Sequence, residues 1–355
     1  MARKTTAQDV AKLAGVSRSA VSLVLNERAD GYLAKDTQQR IRKAAAELGY
    51  KPNLIARSLR NQRSRVIGLL SNSAVISPFD GAIIAGADAV AEAHGFMIFA
   101  TDAEQHADQG TRAINTLLER SVDGLISLTV GLHETTVQES FLSVPSALAN
   151  CYPSPDSPEA ALALPTFLPD EVGGGKAGAE HLIGLGHTRI ALLRGAHDSP
   201  ASELREHGFR LAMADAGIAV REDWVHDGGF RIDRGHQAAM RVLDVPADER
   251  PTAIMAGNDR AAIGVLLAAA SLGIRVPQDL SVIGYDDEHI LADTTVPALS
   301  TMALPLVEMG RRAMQAVLAR LEPDSDAYPP PPVGQVLLPC PLVPRGSTGT
   351  APLAP

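Results

Sequence analysis

Polar side chains that directly follow short apolar runs are the residues best placed to do chemistry. Asn258 and Asp259 follow "TAIMAG", and a second pair, Asp286 and Asp287, follows "SVIGY". Two carboxylates in a pocket can act as general acid and base, and the same groups can hold a polar ligand by hydrogen bonds. Each can instead cap the next helix, so the pattern leaves acid–base chemistry, ligand binding and capping open.

The motifs of common enzyme classes are missing. There is no G-x-S-x-G and no H-E-x-x-H, and the ten histidines are dispersed singly. "GGGKAGAE" looks like a phosphate loop, but Asp170 stands where its first glycine is needed and Ala177 follows the lysine. Cys151 and Cys340 match no metal or redox spacing and are predicted to be free thiols. We therefore predict no catalytic residue, no cofactor and no metal.

Positive charge is concentrated at the N-terminal end of the chain. Residues 1–65 hold 14 Lys and Arg against 5 Asp and Glu, whereas the remainder holds 18 against 36. An excess of positive charge is the electrostatic footprint of a phosphate-backbone partner, and an acidic remainder is kept away from that partner. Composition alone also allows a merely solvated basic face.

Segments that would address the chain to a membrane are missing from the sequence. No run of about 18 apolar residues is present, and the N-terminus "MARKTTAQDVAK" lacks the apolar centre of a signal peptide. We expect a cytoplasmic protein with no membrane partner.

Three short helices are predicted to position the polar groups of the basic segment. Thr6 is the predicted N-cap of the first, with Asp9 three positions on, and Gly15 ends it. Ser17 begins the second helix, in which apolar residues recur at helical spacing. The third spans about residues 35–48 and ends at a glycine.

The second helix has one apolar and one polar side. Val21 and Val24 lie on the side that packs, while the opposite side carries small polar groups with an arginine at its exposed start. Two helices joined by a glycine turn, the second with such a face, form the helix-turn-helix geometry that places a recognition helix in the DNA major groove. A helical hairpin that packs on another protein is the alternative.

The stretch "TTAQDVAKLAGVSRSAVSLVLN" resembles the headpiece signature of the LacI family of bacterial transcription regulators almost position by position. The resemblance implies an all-α helix-turn-helix headpiece that contacts DNA. The residues at the matching positions are Thr6, Ser17, Arg18, Ser19, Ser22 and Asn26.

The next segment, "YKPNLIARSLRNQRS", is rich in arginine and too short for a stable isolated helix. By itself it is a basic linker that can become helical when phosphates neutralise its arginines. It resembles the hinge helix of the LacI family, in which Leu59 would enter the minor groove and kink the DNA. The resemblance also implies DNA contacts by Asn53, Ala56 and Arg57. A leucine packed on the rest of the protein is the alternative for Leu59.

From about residue 65 the sequence alternates short apolar strands with alanine-rich helices, in two successive series. This predicts two parallel α/β lobes, and such a pair resembles periplasmic sugar-binding proteins and the LacI-family core. Ligands of parallel sheets bind beyond the carboxyl ends of the strands, which here predicts a cleft between the lobes.

The predicted organisation has four parts. We expect a headpiece over 1–50, a hinge over 51–64, a core over 65–340 and a proline-rich tail over 341–355. Crossovers predicted near 162–166, 288–296 and 319–323 place the first lobe at about 65–163 and 291–320. They place the second lobe at about 164–290 and 321–340.

The resemblance extends to an effector site. Arg205 in "LREHGF" matches the family's R-x-x-G-[FW] motif, where a guanidinium can bind two ligand oxygens. Phe79 and Phe230 match aromatic positions of the pocket, and aromatic faces suit sugar or base rings. With Asn258 and Asp286 they form the predicted effector set. A salt bridge at the surface of a helix is the alternative for Arg205, and core packing is the alternative for the two phenylalanines.

These features predict a transcription regulator that acts as a repressor. A homodimer would bind a palindromic double-stranded operator, where it would be nucleoid-associated, and a small molecule, expected to be a sugar, would shift lobe closure and thereby hinge order. The proline-rich C-terminus shows no leucine heptad, which favours a dimer over a coiled-coil tetramer. A solute-binding protein and a sugar-processing enzyme are the alternatives. Arg205→Ala is expected to abolish the effector response but leave effector-free DNA binding intact.

Overall fold

The computed structural model divides the chain into two compact units, Met1–Arg65 and Val66–Pro355. We call the first the headpiece and the second the core. The residues that the structure describes are 5–25, 29, 31–50, 63–72, 77–102 and 107–352, with the side chains of 107–109 excepted.

The headpiece contains the three predicted helices, α1 (Ala7–Ala14), α2 (Arg18–Leu25) and α3 (Lys35–Glu47). Thr6 caps α1 as predicted, because its hydroxyl accepts the amide of Asp9 while the Asp9 carboxylate accepts the amide of Thr6. Gly15 ends α1 at φ 66°, a left-handed conformation that favours glycine. A small apolar core then holds the three helices together; it includes Val10, Val21, Val24, Ile41 and Ala45.

The first lobe of the core is built on a six-stranded sheet in which all described pairs are parallel. Its strand order is β11-β5-β4-β3-β1-β2. The strands are β1 (Val66–Ser71), β2 (Met97–Asp102), β3 (Gly124–Thr135), β4 (Ser146–Pro153), β5 (Thr166–Pro169) and β11 (Gln335–Leu338). The helices are α4 (Pro78–Ala93), α5 (Ala107–Glu119) and α11 (Leu306–Leu321).

Apolar side chains alternate between the two faces of this sheet. Ile67 and Leu69 of β1 pack with α4 and α11, whereas Leu70 packs with α5 on the opposite face. Successive residues of a strand point to opposite faces, so a strand covered on both sides is apolar throughout.

The second lobe repeats the architecture with the order β12-β10-β9-β8-β6-β7. Its strands are β6 (Ile190–Arg194), β7 (Val225–Asp227), β8 (Ala253–Ala256), β9 (Ser281–Asp286), β10 (Ser300–Ala303) and β12 (Leu342–Val343). Only β12 is antiparallel among the described pairs of this sheet. Its helices are α6 (Glu171–Gly184), α7 (Pro200–Asp215), α8 (Ile232–Leu243), α9 (Asp259–Ser271) and the short α10 (His289–Ala292).

The predicted boundaries between the lobes are wrong at three strands. β5 and β11 lie in the first sheet, although the sequence assigned them to the second lobe, and β10 lies in the second sheet, although the sequence assigned it to the first. A buried apolar strand has the same pattern in either sheet, so only its hydrogen-bonded neighbours reveal where it belongs.

The described part of the predicted tail is an integral piece of the second lobe. β12 pairs with β10, and the buried hydroxyl of Ser347 donates to the carbonyl of Val282 at 2.6 Å and accepts the amide of Ser300 at 2.8 Å. Polar groups in this segment thus complete the hydrogen bonding of the second sheet, which composition did not predict.

Two glycines allow α6 and α7 to pack backbone to backbone. A Cβ on Gly175 would lie 2.3 Å from the carbonyl oxygen of Arg205, and a Cβ on Gly208 would lie 2.1 Å from that of Val172. Neither position has room for a side chain. This close approach brings the first residue of α6, Glu171, beside the side chain of Arg205.

Candidate functional site

Small polar groups at the start of α2 form the exposed face of the headpiece. Ser17, Arg18 and Ser19 are exposed, while Val21 and Val24 on the opposite side are buried in the headpiece core. The Ser17 hydroxyl accepts the amide of Ala20 at 3.1 Å and so begins the helix. The arginine and Ser19 are therefore placed on the solvent side of the helix at its N-terminal end.

The other predicted DNA-contacting residues differ in what the structure describes. Thr6 is exposed and belongs to the capping box of α1, and Ser22 is half-buried. Asn26, Asn53, Ala56, Arg57 and Leu59 lie outside the described residues.

Arg205 is a buried residue whose guanidinium group binds a carboxylate of the protein. Its Nε and Nη2 atoms donate to the two oxygens of Glu171 at 2.7 and 2.9 Å. Its Nη1 donates to the carbonyl of Gly257 at 2.7 Å and lies 3.5 Å from Oδ1 of Asp286. The guanidinium also lies over the ring of Tyr285 at 3.7 Å. The surface salt bridge considered as its alternative is wrong, because only 6% of the residue is exposed.

Burial and the neighbouring carboxylate shift the pKa of Arg205 in opposite directions. Burial alone would lower the pKa of Arg205, but the Glu171 carboxylate outweighs burial and holds the pKa above its usual value. The guanidinium is therefore charged, and its charge is compensated inside the protein.

Asp286 lies at the carboxyl end of β9, as predicted, with its backbone at φ 108°. Positive φ is uncommon outside glycine and is often found at functional sites. Burial raises the pKa of the Asp286 carboxyl well above its usual value, and Arg205 offsets this only in part.

Asn258 has the capping role that the sequence left open. Its side-chain oxygen accepts the amide of Ala261 at 2.8 Å and begins α9. Its amide nitrogen donates to the backbone carbonyl of Phe230 at 3.5 Å. Asn258 thus contacts the backbone of Phe230, a second predicted effector residue. Its neighbour Gly257 accepts a hydrogen bond from Arg205, a third.

The two remaining acids of the strand-end pairs are bound within the protein. Asp259 is fully buried, accepts the hydroxyl of Thr301 at 2.5 Å and accepts the amide of Glu288 at 2.7 Å. Burial raises the pKa of Asp259 to about 7. Asp287 pairs with Arg345 at 2.7 Å. Both acids therefore have structural partners.

The two phenylalanines lie in different lobes. Phe230 is three residues beyond β7, and its ring packs so closely on Gly195 that a Cβ there would lie 2.3 Å from it. Phe79 is half-buried in the first turn of α4, and its ring centre lies 6.0 Å from the guanidinium carbon of Arg260. Arg260 in turn binds Glu288 through two nitrogens at 2.9 Å each.

The structure thus places four of the five predicted effector residues in the second lobe as two contacting pairs, which Gly257 joins by accepting from Arg205 and preceding Asn258 in the chain. Arg205, Asn258, Asp286 and Phe230 connect through the contacts above, and we call them, with Glu171, the arginine cluster. Phe79 faces Arg260 from the first lobe.

Sequence reasoning missed Glu171 and Arg260. Glu171 lies just beyond the carboxyl end of β5, so the strand-end rule that selected Asn258 would have selected it as well. This strand end was not considered because a crossover between the lobes was predicted at residues 162–166. Arg260 directly follows a selected pair but belongs to no motif.

A cavity of about 530 Å³ lies in the first lobe. It is lined by α5, the end of β1 and the long β3; its polar residues include Asn72, Thr111, His133 and Gln138. None of the five predicted effector residues lines it. The Arg205 guanidinium is enclosed instead by Glu171, Gly257 and Asp286.

Outside these sites, the two cysteines are free thiols, as predicted. Cys151 and Cys340 are free and buried, and burial raises the pKa of each thiol to about 12. In the described part of the chain, no helix is long and apolar enough to cross a membrane, and no cluster of three or more His, Cys, Asp or Glu could hold a metal ion.

A three-helix headpiece with an exposed polar recognition face, joined to a two-lobed α/β core, defines a class of DNA-binding regulators. Residues 6–53 match the family model described as bacterial regulatory proteins, lacI family, and residues 179–348 match the model of a periplasmic binding protein-like domain. The chain is 32% identical to the HTH-type transcriptional repressor PurR of Aliivibrio fischeri over 319 residues, which cover 89% of this chain and 92% of that protein.

Two solved structures resemble the whole molecule. The lac repressor dimer bound to operator and the anti-inducer ONPF is 28% identical at a TM-score of 0.76, covering 98% of this chain and 100% of that chain. The transcriptional regulator CelR in complex with cellobiose is 27% identical at a TM-score of 0.64, covering 97% and 100%. The chain belongs to the LacI family of bacterial regulatory proteins. It is a DNA-binding transcriptional regulator and not an enzyme, and the solute-binding alternative is not favoured.

Proposed function

We propose that this regulator is a repressor that binds a palindromic operator as a homodimer, under the control of a small sugar-type effector. The observation that carries the proposal is the exposed face of α2. Arg18 and Ser19 stand at its N-terminal end above the buried Val21 and Val24, as a recognition helix requires. The lac repressor dimer bound to operator supports the same arrangement.

In this proposal the headpiece supplies both sequence reading and positioning. Arg18 can donate two hydrogen bonds to a guanine edge, and Ser19 and Ser22 can donate to or accept from neighbouring bases. Thr6, Ser17 and Asn26 act at the backbone or the edges of the same groove. Asn53, Ala56, Arg57 and the minor-groove residue Leu59 act at the operator centre. We place the protein in the cytoplasm, at the nucleoid when it is bound to its operator.

The effector is proposed to bind where the arginine cluster faces Phe79. Phe79 and Phe230 supply aromatic faces, and Asn258 and Asp286 supply polar groups, a combination that suits a sugar ring. Arg205 belongs to the proposed site by orienting Asp286, from which its Nη1 lies 3.5 Å. The CelR structure with cellobiose supports a sugar as ligand of this fold.

Two contacts between the lobes are the parts on which an effector would act. Leu132, in the long β3, packs with Ala201 of α7, and Arg260 of α9 faces Phe79 of α4. An effector that binds better to one arrangement of the lobes shifts the population toward it. Because the hinge segment leads directly into β1, that shift is proposed to change the order of the hinge and hence the affinity for DNA.

The test uses an operator selected from a random-sequence DNA pool and fluorescence anisotropy. Arg18→Ala should lower operator affinity by about tenfold or more, because loss of a base contact costs about 1–3 kcal/mol, and should change affinity for random DNA far less. Arg42→Ala, which removes an exposed arginine of α3, is the matched control and should affect both DNAs alike. Leu59→Ala should weaken operator binding.

Three results would contradict the proposal. They are equal losses on operator and random DNA for Arg18→Ala, a selected operator without two-fold symmetry, and binding that does not weaken with added salt.

A further inference from the structure

We propose that Glu171 sets the charge class of the effector: by occupying the guanidinium of Arg205, it makes the site accept an uncharged polyhydroxylated ligand and reject carboxylates and phosphates. This inference rests on the proposed effector site. It concerns ligand charge and is tested without DNA, so its failure is separate from a failure of operator binding.

The geometry leaves Arg205 with no nitrogen free of a protein acceptor. Nε and Nη2 bind the two oxygens of Glu171 in the paired arrangement that a ligand carboxylate or phosphate would otherwise adopt. The remaining nitrogen donates to the carbonyl of Gly257. An anionic ligand therefore finds the binding position for two oxygens already filled.

The carboxylate cannot easily move aside for a ligand. The side chains of Glu171 and Arg205 are only 2% and 8% exposed, and the glycines Gly175 and Gly208 lock their helices together. Displacing Glu171 would leave a buried carboxylate without its partner, which is strongly unfavourable.

The cations that flank the cluster are also compensated. Arg260 binds Glu288, and Arg345 binds Asp287, the two acids that follow Asp286 in the chain. An anion in this site would approach Asp286 and Glu171 without gaining an unpaired positive charge. A hydroxyl group, in contrast, can donate to the Asp286 carboxyl without bringing a second negative charge into the site.

The test measures ligand-dependent melting of the full-length protein by the fluorescence of Trp224, the single tryptophan, which is buried in the second lobe. Inorganic phosphate is the anionic probe, at ionic strength held constant with sodium chloride. Cellobiose with D-glucose, and D-gluconate as the charged counterpart of glucose, report the class of ligand. A ligand that binds the folded state raises its melting temperature.

Wild-type protein should show no saturable stabilisation by phosphate or gluconate. Glu171→Gln keeps the shape of the side chain but releases the charge of Arg205, so it should bind phosphate at least about tenfold more tightly than wild type does. Glu206→Gln is the matched control, because Glu206 pairs with Arg194 of β6 and Arg210 of α7 and not with Arg205, and it should gain nothing.

Saturable stabilisation of the wild type by phosphate, or Glu171→Gln with no gain for phosphate, would overturn the inference. If the single variant does not fold, Glu171→Gln combined with Arg205→Gln removes both charges together. That protein should reject phosphate as the wild type does, and saturable phosphate binding by it would also overturn the inference.

Discussion

The headpiece and the core each present an arginine on a helix, but in opposite physical situations. Arg18 is exposed at the start of α2, whereas Arg205 is buried and bound by Glu171 on the neighbouring helix. An exposed charge is hydrated and free to meet an external phosphate or base, while a buried charge must be compensated within the fold. An arginine at a motif position is therefore available to a ligand only where no side chain of the protein already binds it.

The two regions also differ in how far their parts are separated along the chain. The headpiece face comes from neighbouring residues of one helix. The acceptors around Arg205 lie 34, 52 and 81 residues away in sequence. Local spacing specifies the first site, and packing of distant segments specifies the second.

Removal of the buried arginine should have the largest effect on stability. Arg205→Ala should lower the free energy of unfolding of the core by about 3–5 kcal/mol, because it leaves the buried Glu171 carboxylate unpaired. The measurement is urea unfolding followed by Trp224 fluorescence. Arg210→Ala, whose ion pairs are partly exposed, should cost less than about 1 kcal/mol.

A second test separates helix packing from charge pairing. Gly208→Ala should cost about 1–3 kcal/mol, because its Cβ would meet backbone atoms of α6 and push Glu171 away from Arg205. Gly184→Ala on α6 has open space around its Cβ and should be neutral or stabilising by up to about 1 kcal/mol. Equal thermal melting of the two variants would show that the close approach of α6 and α7 is unimportant.

A third test uses pH, because buried acids in the core retain protons that unfolded acids release. The pKa of Asp259 is about 7 in the folded protein against 3.8 unfolded, so its contribution to stability is complete below about pH 4 and is lost as the pH rises to about 7. Asp259→Asn keeps an oxygen that can accept the Glu288 amide and offers a nitrogen that can donate to the Thr301 hydroxyl. It has no carboxyl group to titrate. The free energy of unfolding of the wild type should therefore fall with rising pH more steeply than that of the variant, by up to about 1.4 kcal/mol per pH unit. Parallel pH profiles would refute the assignment.

Removal of the exposed arginine of the headpiece should have the smallest effect on stability. Arg18→Ala should change the stability of the headpiece by less than about 0.5 kcal/mol, since this exposed side chain is outside the headpiece core. Hydrogen exchange of the amides in α1, α2 and α3 measures it. Faster exchange throughout the three helices would mean that this arginine is structural, which would remove the contrast with Arg205.

The sequence predicted the elements of both regions well where the pattern is local. The capping box at Thr6, the glycine turn, the alternating strands and the strand-end position of Asp286 are all found in the structure. The lobe assignments of β5, β10 and β11 failed, because strand pairing joins segments that are distant in sequence. The partners of Arg205 could not be read from its motif for the same reason.

Local sequence was enough to predict the headpiece helices, the exposed polar face of α2 and the family to which the chain belongs, because each depends on residues close together in the chain. Tertiary structure alone decided that β12 and Ser347 complete the second sheet, and that Glu171 neutralises Arg205. Both depend on long-range packing, the latter on glycines that let two helices touch. Burial then turns a motif arginine from a free ligand group into half of an internal ion pair, which no local pattern can reveal.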